Sequence, residues 1–253
     1  MALANLKFFS ETLGIQTEVY VILPQKNIIG QIGGNSSAPT GPYKCLYLLH
    51  GLSDDNSMWL RRTSIERYAD AYGFCVIMPH GAKSFYTDMK YGEKYYTYIS
   101  QELPQIIQEF FHVSARREDT YIAGLSMGGY GALKIGLRNG NMFSAAAGLS
   151  PVIHPDFEGI PEGILTPIYG EDQIIPEEDN LLYLIEKQDG ALQKPKLFIA
   201  IGTEDFLYKD NKIFREKIQT LHYDFTYLEA PGSHCWEFWD TYIQHILKWF
   251  SQL

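Results

Sequence analysis

The hydrophobic pattern of this chain alternates between two kinds of segment. Short apolar or β-rich runs, each typical of a strand, occupy residues 17–23, 44–49, 74–78, 120–123, 145–149 and 197–201. Longer segments with a helical pattern occupy residues 57–72, 93–111, 127–138, 209–221 and 236–250. Because strand and helix alternate from Lys44 onward, the pattern predicts an α/β fold with a mostly parallel central sheet and helices on both faces. The first strands precede this alternation, and we expect them to form an antiparallel N-terminal edge.

Two stretches depart from this alternation. Residues 30–41 are rich in Gly, Ser, Asn and Pro, which predicts a hairpin or loop. Residues 151–195 contain six of the chain's 12 prolines and are too long for an ordinary connection. They predict an insertion above the carboxyl edge of the sheet, either a lid or substrate wall or an excursion without function. No second domain is required, so residues 1–253 are expected to form one domain.

Composition narrows the set of partners. The chain of 253 residues has 21 basic and 30 acidic side chains and a net charge of −9, so nucleic acid and anionic membrane surfaces are not expected partners. No apolar run approaches the roughly 20 residues that cross a bilayer. The first ten residues lack the pattern of a secretory signal, which favours a cytoplasmic protein.

The cysteines do not form a metal or disulfide pattern. Cys45, Cys75 and Cys235 are widely spaced and include no Cys-x-x-Cys, so neither a disulfide framework nor a zinc ribbon is expected. Cys45 and Cys75 lie in apolar runs and are predicted to be buried. Cys235 follows His234, which leaves a catalytic thiol as the alternative to an ordinary loop cysteine. No His-Glu-x-x-His helix is present, which argues against a zinc hydrolase.

The segment Gly124-Leu125-Ser126-Met127-Gly128 carries the clearest chemical signal. A β-rich run leads into this Gly-x-Ser-x-Gly motif and a helical run leaves it, which is the context of a nucleophile elbow. Ser126 would then lie at a helix N-terminus, where backbone N–H groups favour developing negative charge. A glycine-rich turn with a capping serine is the alternative.

A serine nucleophile needs a histidine base and a carboxylate, in the chain order serine, acid, histidine. The histidines after Ser126 are His154, His222, His234 and His245. We predict His234, because it lies in a loop after the last predicted strand and just before the final helix. The carboxylate should follow the preceding strand, where Glu204 and Asp205 are adjacent, and we favour the shorter Asp205.

The oxyanion of an acyl-transfer intermediate needs two backbone donors. One is expected from the residue after the nucleophile, Met127, and the other from the loop after an early central strand. The segment His50-Gly51-Leu52 occupies that loop, and the Leu52 amide is the expected donor. His50 is interpreted as organising the loop, with a direct catalytic role as the alternative.

Five segments together resemble the esterase D family of α/β-hydrolases: LLHG (48–51), SFYTDM (84–89), GLSMGGYGA (124–132), GTEDFLY (202–208) and GSHCW (232–236). They span nearly the whole chain in the expected order. The resemblance is greatest to the bacterial tributyrin esterases and the related acetyl or feruloyl esterases. It implies the α/β-hydrolase fold, a triad of Ser126, Asp205 and His234, and oxyanion donors at Leu52 and Met127.

The resemblance also has implications beyond the triad. It implies no metal or organic cofactor. Members of the family are often oligomeric, so the resemblance leaves a homo-oligomer open as a partner of this chain. Tyr86 and Trp236 are the candidate substrate-pocket residues, with a core or surface aromatic as the alternative for Tyr86.

The function predicted from these residues is a serine carboxylesterase for short-chain acyl esters such as acetyl, butyryl, acetylated-sugar or feruloyl esters. An S-formylglutathione hydrolase-like thioesterase uses the same triad and remains an alternative, as do an acyltransferase and a peptidase. A non-catalytic binding protein is the alternative from a different class, although such proteins usually lack a triad residue and none is missing here.

Overall fold

Eight strands form one sheet in the computed structural model, which describes residues 1–25 and 41–253. The strands are β1 (Ala2–Ser10), β2 (Ile15–Leu23), β3 (Cys45–Leu49), β4 (Cys75–Pro79), β5 (Thr120–Leu125), β6 (Ala145–Leu149), β7 (Lys196–Gly202) and β8 (Phe225–Ala230). Their spatial order is β1-β2-β4-β3-β5-β6-β7-β8. β1 and β2 are antiparallel to their neighbours and the other six strands are mutually parallel. The predicted α/β fold with an antiparallel N-terminal edge is therefore confirmed.

Helices surround this sheet. They are α1 (Met58–Arg62), α2 (Ile65–Asp70), α3 (Tyr95–Thr97), α4 (Leu103–Phe110), α5 (Met127–Arg138), α6 (Leu165–Tyr169), α7 (Leu181–Lys187), α8 (Tyr208–Ile218) and α9 (Trp236–Ser251). A π-helical turn, Tyr98–Glu102, joins α3 to α4, and 3₁₀ turns occupy Arg117–Asp119 and Glu177–Asp179. No helix of the described residues is long and apolar enough to span a membrane.

The core lies on both faces of the sheet. β3, β4, β5 and β6 are buried along their whole length, as expected for central parallel strands. Along β3, Tyr47 packs with residues of α4, α5, α7 and α8, whereas Leu46 and Leu48 pack with residues of α1, α2 and α9. Side chains of a strand alternate between faces, so this continuous apolar run supplies two cores at once.

The segment 57–72 is not one helix, contrary to the sequence prediction. α1 ends before Thr63, whose backbone is extended at φ −136° and ψ 172°. The Thr63 hydroxyl donates to the Trp59 carbonyl at 2.6 Å and accepts from the Ile65 N–H at 3.1 Å. A side chain that bonds the local backbone in this way competes with the helix, which explains the break.

The predicted helix over 93–111 forms, but it begins at Tyr95 and contains the π-helical turn. Pro104 lies four residues after Ser100 and has no N–H, so it cannot complete the ordinary helical bond to the Ser100 carbonyl. A wider turn at this point agrees with that missing donor.

Other predictions concern the edges and the connections. The hydrophobic pattern predicted no bounds for β1 and β8, the two edge strands, because their half-exposed positions weaken the apolar signal. The stretch 151–195 contains α6, α7 and the second 3₁₀ turn between β6 and β7. The predicted loop at 30–41 lies outside the described residues, apart from Gly41.

Candidate active site

Ser126 lies in the tight turn between β5 and α5. Its backbone is at φ 53° and ψ −119°, a strained conformation for a residue with a side chain, and its N–H donates to the Leu149 carbonyl at 2.9 Å. Gly124 and Gly128 permit this turn: a Cβ on Gly124 would overlap the Gly128 backbone, and one on Gly128 would lie 2.5 Å from the carbonyl oxygens of Leu49 and His50. The turn therefore has the strand-to-helix geometry that the motif predicted.

His234 lies between β8 and α9 and reaches Ser126 across the carboxyl edge of the sheet. Its Nε2 is 3.0 Å from Ser126 Oγ, and its Nδ1 is 2.9 and 3.1 Å from the two carboxylate oxygens of Asp205. The rings of Phe206 and Trp239 flank the imidazole, with centroids 4.6 and 4.9 Å away. The structure thus brings together the three residues that the sequence singled out.

The two adjacent carboxylates after β7 have different partners. The side chain of Asp205 is fully buried, and its Oδ1 accepts from the Leu207 N–H at 2.9 Å as well as contacting His234. Glu204 is exposed and accepts from the Gly232 N–H at 2.5 Å. Each carboxylate therefore accepts a hydrogen bond from a backbone N–H, and only Asp205 contacts the imidazole.

The other candidate side chains lie apart from Ser126. His154 pairs with Asp156, and His222 is exposed and pairs with Asp189. His245 is exposed on α9. Cys45 and Cys75 are buried and paired in register across β3 and β4, as predicted, whereas Cys235 is half-buried beside the site; all three are free thiols.

The loop after β3 is held by His50, which is wholly buried. Its Nδ1 lies 2.7 Å from the Gly51 carbonyl, and its Nε2 accepts from the Gly81 N–H at 2.9 Å. Both ring nitrogens are therefore engaged with backbone, which supports the loop-organising interpretation. Burial lowers the pKa of His50 to about 4, so the ring is neutral at ordinary pH.

A cavity of about 550 Å³ opens beside Ser126. It lies between the loop at 51–54, the start of α9 and the stretch after β6. Its lining includes Leu52, Phe157, Phe206, Trp236 and Trp239. Phe157 and its neighbours at 159 and 161 show that the 151–195 segment reaches this cavity. Trp236, the other predicted pocket residue, lines this cavity.

Tyr86 does not line the cavity, which corrects its assignment as a pocket residue. The side chain is wholly buried and donates to the His50 carbonyl at 2.9 Å, which agrees with the core alternative. Sequence reasoning missed Phe206 and Trp239. The first directly follows Asp205 and the second lies one helical turn after Trp236, so proximity to a predicted site residue was the available signal.

The model of the family named Esterase matches residues 10–250. The chain belongs to this esterase family. Its similarity to the esterase D type runs through the whole chain, and its fold and relatives identify it as a hydrolytic serine esterase.

Three relatives show the extent of this similarity. An acetyl esterase of Caldicellulosiruptor saccharolyticus is 30% identical over 271 aligned residues, covering 100% of this chain and 99% of that protein. The substrate-bound structure of the fluorophosphonate-binding serine hydrolase F of Staphylococcus aureus is 36% identical with a TM-score of 0.88, covering 99% and 98% of the two chains. The ligand-free structure of an S-formylglutathione hydrolase of the same organism is also 36% identical, with a TM-score of 0.85 and the same coverage.

We expect the buried His50 to make the free energy of unfolding of this esterase fall at acidic pH. A fall in the pKa of the buried ring from 6.5 to about 4 corresponds to about 3 kcal/mol. Below pH 6.5 the His50 side chain is protonated in the unfolded chain but stays neutral in the folded chain. This contribution to the free energy of unfolding is therefore complete above pH 6.5 and is lost as the pH falls towards 4. We expect His50→Gln to flatten the acid limb of the free energy of unfolding, measured by urea titration between pH 4 and 7.

His245→Gln is the matched control, because His245 is exposed. This substitution should leave the acid limb of the free energy of unfolding unchanged. An equal pH dependence in the wild type and His50→Gln would contradict the assignment to His50.

Proposed function

We propose that this esterase cleaves short-chain acyl esters with Ser126 as nucleophile, His234 as general base and Asp205 as the residue that orients the histidine. The observation that carries the proposal is the continuous hydrogen-bonded series from Asp205 through His234 to Ser126 Oγ. A serine hydroxyl becomes a useful nucleophile when such a base accepts its proton.

The proposed reaction has two halves. His234 Nε2 accepts the Ser126 proton as Oγ attacks the ester carbonyl, and the buried Asp205 carboxylate stabilises the imidazolium that forms. His234 then donates that proton to the leaving alcohol, which leaves an acyl-serine. A water molecule that gives its proton to His234 hydrolyses the acyl-serine, and the proton returns to Ser126.

The Leu52 and Met127 amides are the proposed oxyanion donors. Met127 is the first residue of α5, so its N–H has no partner within the helix and is free to meet developing charge. Leu52 lines the same cavity as Ser126 in the loop that His50 holds. Two donors of this kind stabilise the tetrahedral intermediate more than the substrate, which is the source of rate acceleration.

The cavity beside Ser126 supports a small ester as substrate. Trp236, Phe157 and Phe206 give it apolar walls, and its volume of about 550 Å³ has to hold both the acyl group and the leaving group. The full-length similarity to an acetyl esterase also supports acetyl esters. We propose that the 151–195 segment acts as a substrate wall through Phe157, within one domain that spans the chain.

A thioesterase is the second candidate, because an S-formylglutathione hydrolase shares 36% identity with this chain over nearly its whole length. The chemistry at Ser126 would be the same, and only the leaving group would differ.

The three free cysteines support a reducing compartment, and we propose the cytoplasm on that basis.

A substrate panel tests the acyl preference. We expect kcat/KM for 4-nitrophenyl acetate and butyrate to exceed that for the laurate ester by at least about 10-fold, since a long chain exceeds the cavity and remains in water. Acetylated xylan, methyl ferulate and S-formylglutathione belong in the same panel, with Ser126→Ala as the blank. A laurate preference would contradict the short-chain proposal, and a large preference for S-formylglutathione would replace the ester by the thioester.

A further inference from the structure

The segment after β4 has an unusual backbone. Ala82, Phe85 and Tyr86 have φ values of 46°, 49° and 51°, in the left-handed region that residues with a Cβ rarely occupy. Such conformations persist only where surrounding contacts enforce them, and they concentrate at sites that need a defined geometry. Phe85 and Tyr86 are both wholly buried.

The ring of Tyr86 joins this segment to the nucleophile helix. A Cβ placed on Gly81, before the segment, or on Gly131, in α5, would overlap carbon atoms of the Tyr86 ring. Two glycines in separate elements therefore leave the space that the ring fills. Close packing of this kind allows little movement of the ring relative to α5.

The Tyr86 backbone is fixed by a buried hydrogen-bonded network. The Tyr86 N–H donates to Ser84 Oγ at 3.0 Å, the Ser84 hydroxyl donates to the Gly81 carbonyl at 2.6 Å, and the Gly81 N–H donates to His50 Nε2 at 2.9 Å. The Tyr86 hydroxyl completes the network by donating to the His50 carbonyl at 2.9 Å. Burial raises the pKa of Tyr86 well above its ordinary value, so the hydroxyl remains a donor at any working pH.

The His50 carbonyl lies between Tyr86 and the start of the nucleophile helix. On one side it accepts from Tyr86. On the other it approaches Gly128, the residue after Met127, so closely that a Cβ on Gly128 would lie 2.5 Å from the His50 oxygen. Leu52 follows two residues later in the chain. Any movement of the His50 peptide would therefore shift the Leu52 amide relative to Met127 and Ser126.

We propose that Tyr86 is a positioning residue that holds the Leu52 amide in register with Ser126 through the His50 carbonyl. This inference rests on the proposed function, in which Leu52 and Met127 bind the oxyanion. It assigns to Tyr86 an effect on the transition state without contact with the substrate.

Tyr86→Phe tests the inference, since it keeps the ring and removes only the hydroxyl. We expect kcat for 4-nitrophenyl acetate to fall about 10- to 100-fold, because oxyanion donors act only when accurately placed, while KM stays within about 2-fold. A short alkyl trifluoromethyl ketone adds to a serine hydroxyl to form a tetrahedral oxyanion, and its inhibition constant should rise in proportion to the loss in kcat/KM.

Tyr130→Phe is the matched control. Tyr130 is equally buried, and its hydroxyl donates to a backbone carbonyl, that of Asp179, at 2.6 Å. Both substitutions delete one buried phenol hydroxyl bonded to a carbonyl, so similar falls in melting temperature are expected. Only Tyr86→Phe should change kcat by more than about 2-fold.

Each other outcome overturns the inference. Equal effects of the two substitutions on kcat would reduce Tyr86 to a structural role, and a rise in KM at constant kcat would indicate substrate contact. If the wild type hydrolyses the ester and Tyr86→Phe hydrolyses it at the same rate, only this inference is overturned. Absence of ester hydrolysis by the wild type overturns the proposed function and, with it, the inference that rests on it.

Discussion

Ser126→Ala should lower kcat for 4-nitrophenyl acetate by at least about 10³-fold, since alanine offers no oxygen to attack the carbonyl and the triad acts as a unit. Steady-state kinetics measure the loss, and a fluorophosphonate probe followed by mass spectrometry should label the wild type but not the variant. Oxyanion donors and substrate binding remain in the variant, so a residual rate above that in water is expected.

The control for this loss removes a hydroxyl close to the site. Ser233 is exposed and directly precedes His234, so Ser233→Ala should keep kcat within about 2-fold. Ser126→Ala combined with His234→Ala should cost no more than either change alone, because neither residue acts without the other. Near-normal turnover by Ser126→Ala, or additive losses in the double variant, would contradict the assignment.

Asp179→Asn should destabilise the fold by about 3 kcal/mol at pH 6, because the buried Lys134 then either stays charged without a carboxylate or loses its proton on folding, and both cost free energy. Lys134 Nζ is wholly buried in α5, 3.1 Å from Asp179 Oδ1 and 2.6 Å from the Thr87 hydroxyl. Asp179 belongs to the 151–195 segment, so this ion pair ties that segment to the helix that begins after Ser126. Urea unfolding at fixed pH measures the loss.

The loss should shrink as the pH rises. Burial lowers the pKa of Lys134 to about 8, even with Asp179 present, and without the carboxylate the folded chain releases that proton at still lower pH. Between the lowered pKa of Lys134 in the variant and pH 8, the folded variant binds one proton fewer than the folded wild type. Over that interval the difference in unfolding free energy falls as the pH rises, by up to about 1.4 kcal/mol per pH unit.

A surface pair is the control for this prediction. Asp224 lies 2.9 Å from Lys196, and both side chains are about half exposed, so Asp224→Asn should change stability by less than about 1 kcal/mol at any pH between 6 and 9. The prediction would be contradicted by a loss of unfolding free energy in Asp179→Asn that is independent of pH or no larger than that in Asp224→Asn. Either result would show that burying Lys134 does not require the Asp179 carboxylate.

The departures from prediction arise from interactions that hydrophobic spacing does not encode. The break at Thr63 is local, because the Thr63 hydroxyl bonds the backbone of Trp59 and Ile65. Tyr86 was assigned to the pocket by resemblance, whereas its burial between Gly81 and Gly131 depends on two segments that meet only in the folded chain. The Lys134–Asp179 pair joins residues 45 positions apart and has no local pattern.

The sequence by itself determined the strand and helix alternation, the elbow at Ser126 and the order in which a strand-end carboxylate and His234 follow it. These features are local, because a buried strand, a glycine-flanked turn and a strand-end carboxylate each depend on neighbouring residues. Only the tertiary structure decided that Asp205 rather than Glu204 faces His234, since both end the same strand and the choice depends on a loop 29 residues away. The shape of the cavity is likewise tertiary, because its walls come from segments that the chain brings together only when the sheet is complete.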